Sequence, residues 1–147
     1  MNWKECAIQR LKQIPYMEQS LKSIPMELHR LELEASAIGG AGPIPSGPVS
    51  HRGRENRFLN NCMQRQELRW QLQDARLWLE STRQALENLT PDQQQLLQQL
   101  YIHPVKDAVE QLCWQLGLER SSIYRHRDKA LEAFATSLYG PARKLPA

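Results

Sequence analysis

Apolar residues recur three or four positions apart along most of this chain and nowhere alternate over a useful length, so the pattern predicts helices and no strands. In the first segment, residues 1–38, Leu21, Ile24, Leu28, Leu31, Ala35 and Ile38 fall on one helical face. Pro15 and Pro25 punctuate it. Because proline is tolerated best in a first helical turn, three helices are expected here: one near Trp3 to Ile14, a short one after Pro15, and one from Pro25 to Ile38 that Gly39 and Gly40 stop. The run GGAGPIPSGPVSHRG over 39–53 has no apolar period. Its Gly, Pro and Ser content is that of a mobile, poorly ordered linker.

From 54 to 89 the spacing predicts one long amphipathic helix of coiled-coil type. Leu68, Leu72, Ala75, Leu79, Thr82, Leu86 and Leu89 alternate four and three residues apart, as heptad a and d positions do, with no Gly or Pro between them. A second stripe of Leu59, Met63, Trp70 and Leu77, with Trp78 beside it, widens the apolar face beyond a two-stranded seam. The expected partner is the N-terminal helix pair, another copy of the chain, or both. A homodimer through the 54–89 helix, paired by Leu72, Ala75, Leu79 and Leu86, would set two copies of the C-terminal module about 34 Å apart on a two-fold site.

The last third, 90–140, carries the sharpest local signals. Thr90 with Gln93 three residues on makes a capping box, Pro91 suits the first helical position, and Asp92 complements the positive end of the dipole. A helix to about Tyr101 then buries Leu96, Leu97 and Leu100, and His103-Pro104 breaks it. Asp107 with Glu110 can start the next helix, whose apolar face is Ala108, Val109, Leu112, Cys113 and Leu116; Gly117 ends it. A third helix presents Ile123, Ala130, Leu131, Phe134 and Leu138 inward until Gly140-Pro141, leaving 141–147 as a tail. The chain as a whole therefore reads as all-α.

Two short helices around a tight Gly turn, the second one basic, are what a helix-turn-helix needs. Small Cys113, four residues before Gly117, permits close approach of the helices. Leu118 plugs the turn, and Ile123, six residues after Gly117, locks the second helix against the first. With that face inward, helical geometry turns Arg120, Ser121, Tyr124 and Arg125 outward as candidates for base contact, since arginine pairs bidentately with guanine. Ser122, Arg127 and Lys129 are placed for phosphates or a protein partner.

Charge sharpens this picture only locally. The net charge of +3 permits nucleic-acid binding without requiring it, but Arg120 to Lys129 concentrates Arg120, Arg125, Arg127 and Lys129 against Asp128 alone, with His126 between two arginines. Double-stranded DNA is the partner this implies.

Gly117-Leu118-Glu119-Arg120-Ser121-Ser122-Ile123-Tyr124-Arg125, continued by Lys129-Ala130-Leu131, resembles the helix-turn-helix of bacterial sigma-70 region 4, which reads the promoter -35 element; Leu89-Thr90-Pro91 is similar too. Over nearly its full length the chain resembles the ArpU-like phage and prophage transcriptional regulators of Firmicutes, through the opening MNWKECAIQRL, the PVS of the linker and the ending ERSSIYRHRDKALEAFATSLYG. The resemblance implies a transcription regulator with a sigma-70 region 4-like domain, with Arg120, Ser121, Tyr124 and Arg125 where that domain contacts promoter DNA, and RNA polymerase as a further partner. Two positions depart from the pattern: His126 stands where an apolar residue usually packs behind the recognition helix, and Glu119 where a Ser cap is common. Nothing corresponds to the promoter-melting region 2. An accessory activator or sigma-like factor is therefore implied rather than a complete sigma factor.

Other classes have less behind them. His29, His51, His103 and His126 are scattered, and no Cys, Asp or Glu joins them at a metal-ligand or triad spacing, so neither an enzyme nor a metal or cofactor site is expected. Gly39-Gly40-Ala41-Gly42 lacks the Lys and the preceding strand of a phosphate loop. Cys6, Cys62 and Cys113 form no CxxC pair and read as reduced, mostly buried thiols. Met1-Asn2-Trp3-Lys4-Glu5-Cys6 puts charges where a secretory signal needs an apolar run, and no membrane span appears, so a cytoplasmic location is expected. The alternatives to regulation are a phage DNA-packaging component of small-terminase type, which also joins a helix-turn-helix to a helical oligomerisation region, and a purely structural coiled-coil assembly protein.

Overall fold

In the computed structural model of the chain, residues 2–39 and 51–141 are described. All their regular structure is helical, with no strand among the described residues: α1 (Trp3–Gly39), α2 (His51–Glu87), α3 (Pro91–Leu97), a π-helical turn (Gln98–Ile102), α4 (Ala108–Leu116) and α5 (Arg120–Tyr139). Residues 40–50 of the expected 39–53 linker lie outside the described residues, as do 142–147 of the tail. The linker's two ends are helical: Gly39 closes α1 and residues 51–53 open α2, which stops at Glu87.

The prolines do not divide the first segment. Three helices were expected there, and α1 runs through Pro15 and Pro25 without a break. Each proline withholds one N–H from the ladder, the one that would meet the carbonyl of Leu11 or of Leu21, at a typical cost of about 3 kcal/mol. What offsets it is apolar burial on either side of the two prolines. Ala7, Leu11, Ile14, Leu28, Leu31, Ala35 and Ile38 are buried, and Leu21 and Ile24 are half-buried. Pro15 is half-buried and Pro25 is exposed.

The described residues form two compact units. One holds residues 18–77; the other joins residues up to 17 with those from 78 onward. In the first, α1 lies beside α2, with Leu28, Leu31, Ala35 and Ile38 of α1 and Leu72 and Ala75 of α2 buried. A buried polar residue fixes their register. Asn61, 2% exposed, donates from Nδ2 to the Leu31 carbonyl at 2.9 Å and accepts from Arg65 Nε at 2.7 Å.

In the second unit the start of α1 packs with the end of α2 and with α3 to α5. Leu11, Leu79, Leu96, Leu97, Leu112, Ile123, Leu131 and Phe134 are fully buried there. Its polar pin is Arg10. The guanidinium lies 4.3 Å over the Trp78 ring, donates from Nε to Thr82 Oγ1 at 2.8 Å, and reaches Ser81 Oγ at 3.0 Å and the Trp78 carbonyl at 3.3 Å. Burial pushes its pKa below the usual arginine value, against the pull of Tyr139. Thr82, at a heptad core position, satisfies its own hydroxyl by donating to the Trp78 carbonyl at 2.6 Å.

No helix among the described residues is long and apolar enough to cross a membrane. The three thiols form no disulfide and are half-buried, less enclosed than the sequence suggested.

Replacing Pro25 with Ala restores a helical N–H at an exposed position. It also returns about 0.4–1 kcal/mol of entropy to the unfolded chain, so a net stabilisation of about 2 kcal/mol is expected in denaturant unfolding. A loss of stability would show that α1 needs its proline, contrary to an unbroken helix held by its apolar burial.

Candidate nucleic-acid interface

The interface is built from its N-terminal anchor upward. Thr90 Oγ1 accepts from the Gln93 N–H at 3.2 Å, Gln93 Oε1 accepts from the Thr90 N–H at 3.1 Å, and Pro91 occupies the first turn, as the capping box requires. The helix that starts there stays α-helical only to Leu97. Gln98 to Ile102 widen into a π turn, and His103 closes it, its N–H donating to the Gln98 carbonyl at 2.9 Å. Asp107 does stand at the start of α4, but in the left-handed region (φ 53°) with no side-chain cap bond, so the expected Asp107–Glu110 start signal is not made. The side chain cannot reach forward from that backbone conformation.

Gly117 ends α4 with φ 67°, ψ 33°, and the Leu118 N–H returns to the Cys113 carbonyl at 3.2 Å. Glu119 is extended, and its carbonyl accepts the Ile123 N–H at 3.0 Å, which opens α5 without a side-chain cap. The second helix is held by Ile123, buried against Leu96 and Leu112 with Leu100, Val109, Cys113, Leu116 and Leu118 around them. Further along, Ala130, Leu131, Phe134 and Ala135 continue the buried face.

The residues expected to meet bases share the outer side of the first turns of α5. Arg120, Ser121, Tyr124 and Arg125 are all exposed. The Tyr124 side chain hydrogen-bonds Arg120 and, with the pull of Glu110, holds its pKa above the ordinary arginine value. Arg125 Nη2 donates to Ser122 Oγ at 3.0 Å, which orients the guanidinium and leaves Ser122 half-buried. Lys129 and His126 are exposed on the same helix.

Arg127 is placed differently. It is only 26% exposed, lies 5.1 Å over the Tyr124 ring, and pairs with Asp128 at 3.0 Å. It also faces Tyr101, whose pKa burial raises and Arg127 partly lowers. Arg127 therefore buttresses Tyr124 from behind. Lys4 meets Asp128 at 2.7 Å, tying the start of α1 to α5, and the Asp128 pKa is lowered by that bond and by Arg127. With Lys4 and Arg127 around it, Asp128 does not answer the charge of Arg125 or Lys129.

α5 has no acidic residue in its first turn, where the helix dipole would favour one, and Arg120 stands there instead. One residue the sequence reading passed over is Trp114, 89% exposed on the outer side of α4. Its signal was available: it lies two residues past buried Leu112, about 200° round the helix.

Among the described residues no group of three or more His, Cys, Asp and Glu is placed to hold a metal ion. No protein-family model, curated protein or solved structure matches the chain.

A Cβ at position 117 would meet nothing within 4 Å, so the cost of Gly117→Ala is conformational alone, roughly 1–2 kcal/mol in unfolding experiments. Asn, which tolerates the left-handed region, should cost less. Equal losses for Ala and Asn would contradict a left-handed residue here. For Asp128, whose folded pKa is depressed, the Lys4 pairing contributes above the unfolded value of about 3.9 and is lost as pH falls through the lower folded value. Asp128→Asn should flatten the acid limb of the stability–pH curve slightly, since the pair is half exposed. An unchanged limb would show that the pair carries no stability.

Proposed function

We propose that α4 and α5 form a helix-turn-helix of the sigma-70 region 4 type and that the chain is a sequence-specific, DNA-binding transcription regulator of phage or prophage type, acting as an accessory activator or sigma-like factor. The observation that carries this reading is the exposed group Arg120, Ser121, Tyr124 and Arg125 on one end of a helix whose opposite face is fixed by Ile123 against Leu96 and Leu112. A helix so held presents its first turns to the major groove, where arginine reads guanine O6 and N7 and Ser or Tyr meets bases or phosphates. Tyr124, with Arg127 behind it, is a stiff platform between the two arginines.

Lys129, farther along, meets phosphate. Ser122 acts by orienting Arg125, and Arg127 by supporting Tyr124. Trp114 is the side chain we assign to a protein partner, because exposed tryptophans are the usual anchors of such contacts. RNA polymerase is the partner that a sigma-like module implies.

Selection of bound duplexes from a random pool, with salt dependence measured alongside, tests the proposal. A defined site should emerge. On that site Arg120→Ala and Arg125→Ala should each weaken binding by about 5- to 150-fold, the equivalent of about 1–3 kcal/mol, and weaken random duplex far less. Lys129→Ala should weaken both alike and lower the salt slope by about one. A pool that never converges would refute sequence-specific binding, and equal losses on cognate and random DNA for all three variants would refute the assignment of roles.

A further inference from the structure

The heptad residues that the spacing offered for pairing two chains are committed within one chain. Leu72, Ala75 and Leu79 are buried, and Leu86 is half-buried. The other stripe of α2 is not. Leu59, Met63, Trp70 and Leu77 are 57%, 69%, 63% and 56% exposed on the side of α2 away from its buried face. Met63, Trp70 and Leu77 repeat every seven residues and so form one heptad position, with Leu59, Gln66 and Gln73 at the companion position four before each of them.

The charges flanking this seam are sorted by sign. Glu67 and Asp74 line one edge, four residues after Met63 and Trp70; Arg69 and Arg76 line the other, one residue before Trp70 and Leu77. All four are exposed, and Arg69 reaches Glu32 only at 3.9 Å. An antiparallel pair of such helices would set acidic edge against acidic edge and basic against basic. A parallel, in-register pair sets basic edge against acidic edge on both sides, with Arg69 of each chain facing the partner's Asp74. Gln66 and Gln73 then meet their own counterparts, and an amide is both donor and acceptor, so the polar seam positions favour that register. α1 is the poorer surface. Its exposed Met26 and Leu33 flank a network in which Arg30 binds Glu27 at 2.6 Å and Glu34 at 3.1 Å.

We propose that the chain forms a parallel, in-register homodimer through the Leu59, Met63, Trp70 and Leu77 face of α2, with a second copy of itself as occupant. This pairing does not depend on what α5 binds.

The full chain tests it without DNA. Sedimentation velocity should show a concentration-dependent monomer–dimer equilibrium, and Trp70→Glu should shift it to monomer with helical circular dichroism retained. Arg69→Asp should weaken the dimer on the order of tenfold, and adding Asp74→Arg should restore it. With Cys6, Cys62 and Cys113 replaced by Ser, Met63→Cys and Leu77→Cys should each form disulfide-linked dimers on their own. An antiparallel pair centred on Trp70 would instead cross-link only when the two variants are mixed, and that result overturns the parallel order. A chain that stays monomeric through the micromolar range, or a Trp70→Glu dimer as tight as the parent, overturns the interface. If Trp70→Glu fails to fold, the cross-linking pattern still decides.

Discussion

The C-terminal module depends on one backbone constraint: a residue in the left-handed region at Gly117, three positions before a new helix begins. That conformation ends α4, returns Leu118 to the Cys113 carbonyl, and lets Ile123 enter the space between Leu96 and Leu112. Once Ile123 is seated, the orientation of α5 about its own axis follows from helical periodicity. Residues at its N-terminal end that are out of phase with Ile123 have no core to enter, which leaves Arg120, Ser121, Tyr124 and Arg125 at the surface.

How much of this could be read from the chain depends on whether the determinant was local. The capping box at Thr90, the stop at Gly117 and the inward face of α5 are each written in a few adjacent residues, and they appear as expected except that Ala135 is buried and Leu138 only half-buried. The first segment was misread because proline is a local stop signal, whereas the apolar burial that overrides it lies on both sides. Buried apolar residues recur three or four apart on both sides of the prolines, Ala7, Leu11 and Ile14 before them and Leu28, Leu31, Ala35 and Ile38 after, and following that spacing through Pro15 and Pro25 would have joined the pieces. The π turn at Gln98–Ile102 has no residue type that announces it. Asp107 is the reverse case, a good capping residue held where its backbone forbids the cap.

The apolar pattern also leaves out what fixes register. A stripe of Leu and Ala slides by one heptad at little cost, whereas a buried polar group must find its particular partner. Asn61 finds the Leu31 carbonyl, and Arg10 finds Thr82 Oγ1 and the Trp78 ring. Hydrogen bonds to a charged donor contribute roughly 1.5–3 kcal/mol each, so Arg10 outweighs a typical neutral pin. Arg10 and Asn61 carry no sequence signature, since each falls among polar residues that look ready for solvent.

For a DNA-binding reading, the charge pattern sets the terms of affinity. Asp128 is answered by Lys4 and Arg127, and Arg127 is drawn inward, so the cations left on the outer side of α5 are Arg120, Arg125 and Lys129. Even if all three faced phosphate they would release few counterions, for a salt slope of only about −3, and two of the three are the ones suited to bases. Non-specific attraction from a single module is then weak, and discrimination has to come from base contacts and from linking modules. Joining two copies converts the second contact into an intramolecular one, with gains of about 10²- to 10⁴-fold when both half-sites are in reach. On the proposed readings, a weakly charged α5 and the exposed apolar seam on α2 are therefore complementary features: what the first lacks in electrostatic pull, pairing through the second would supply.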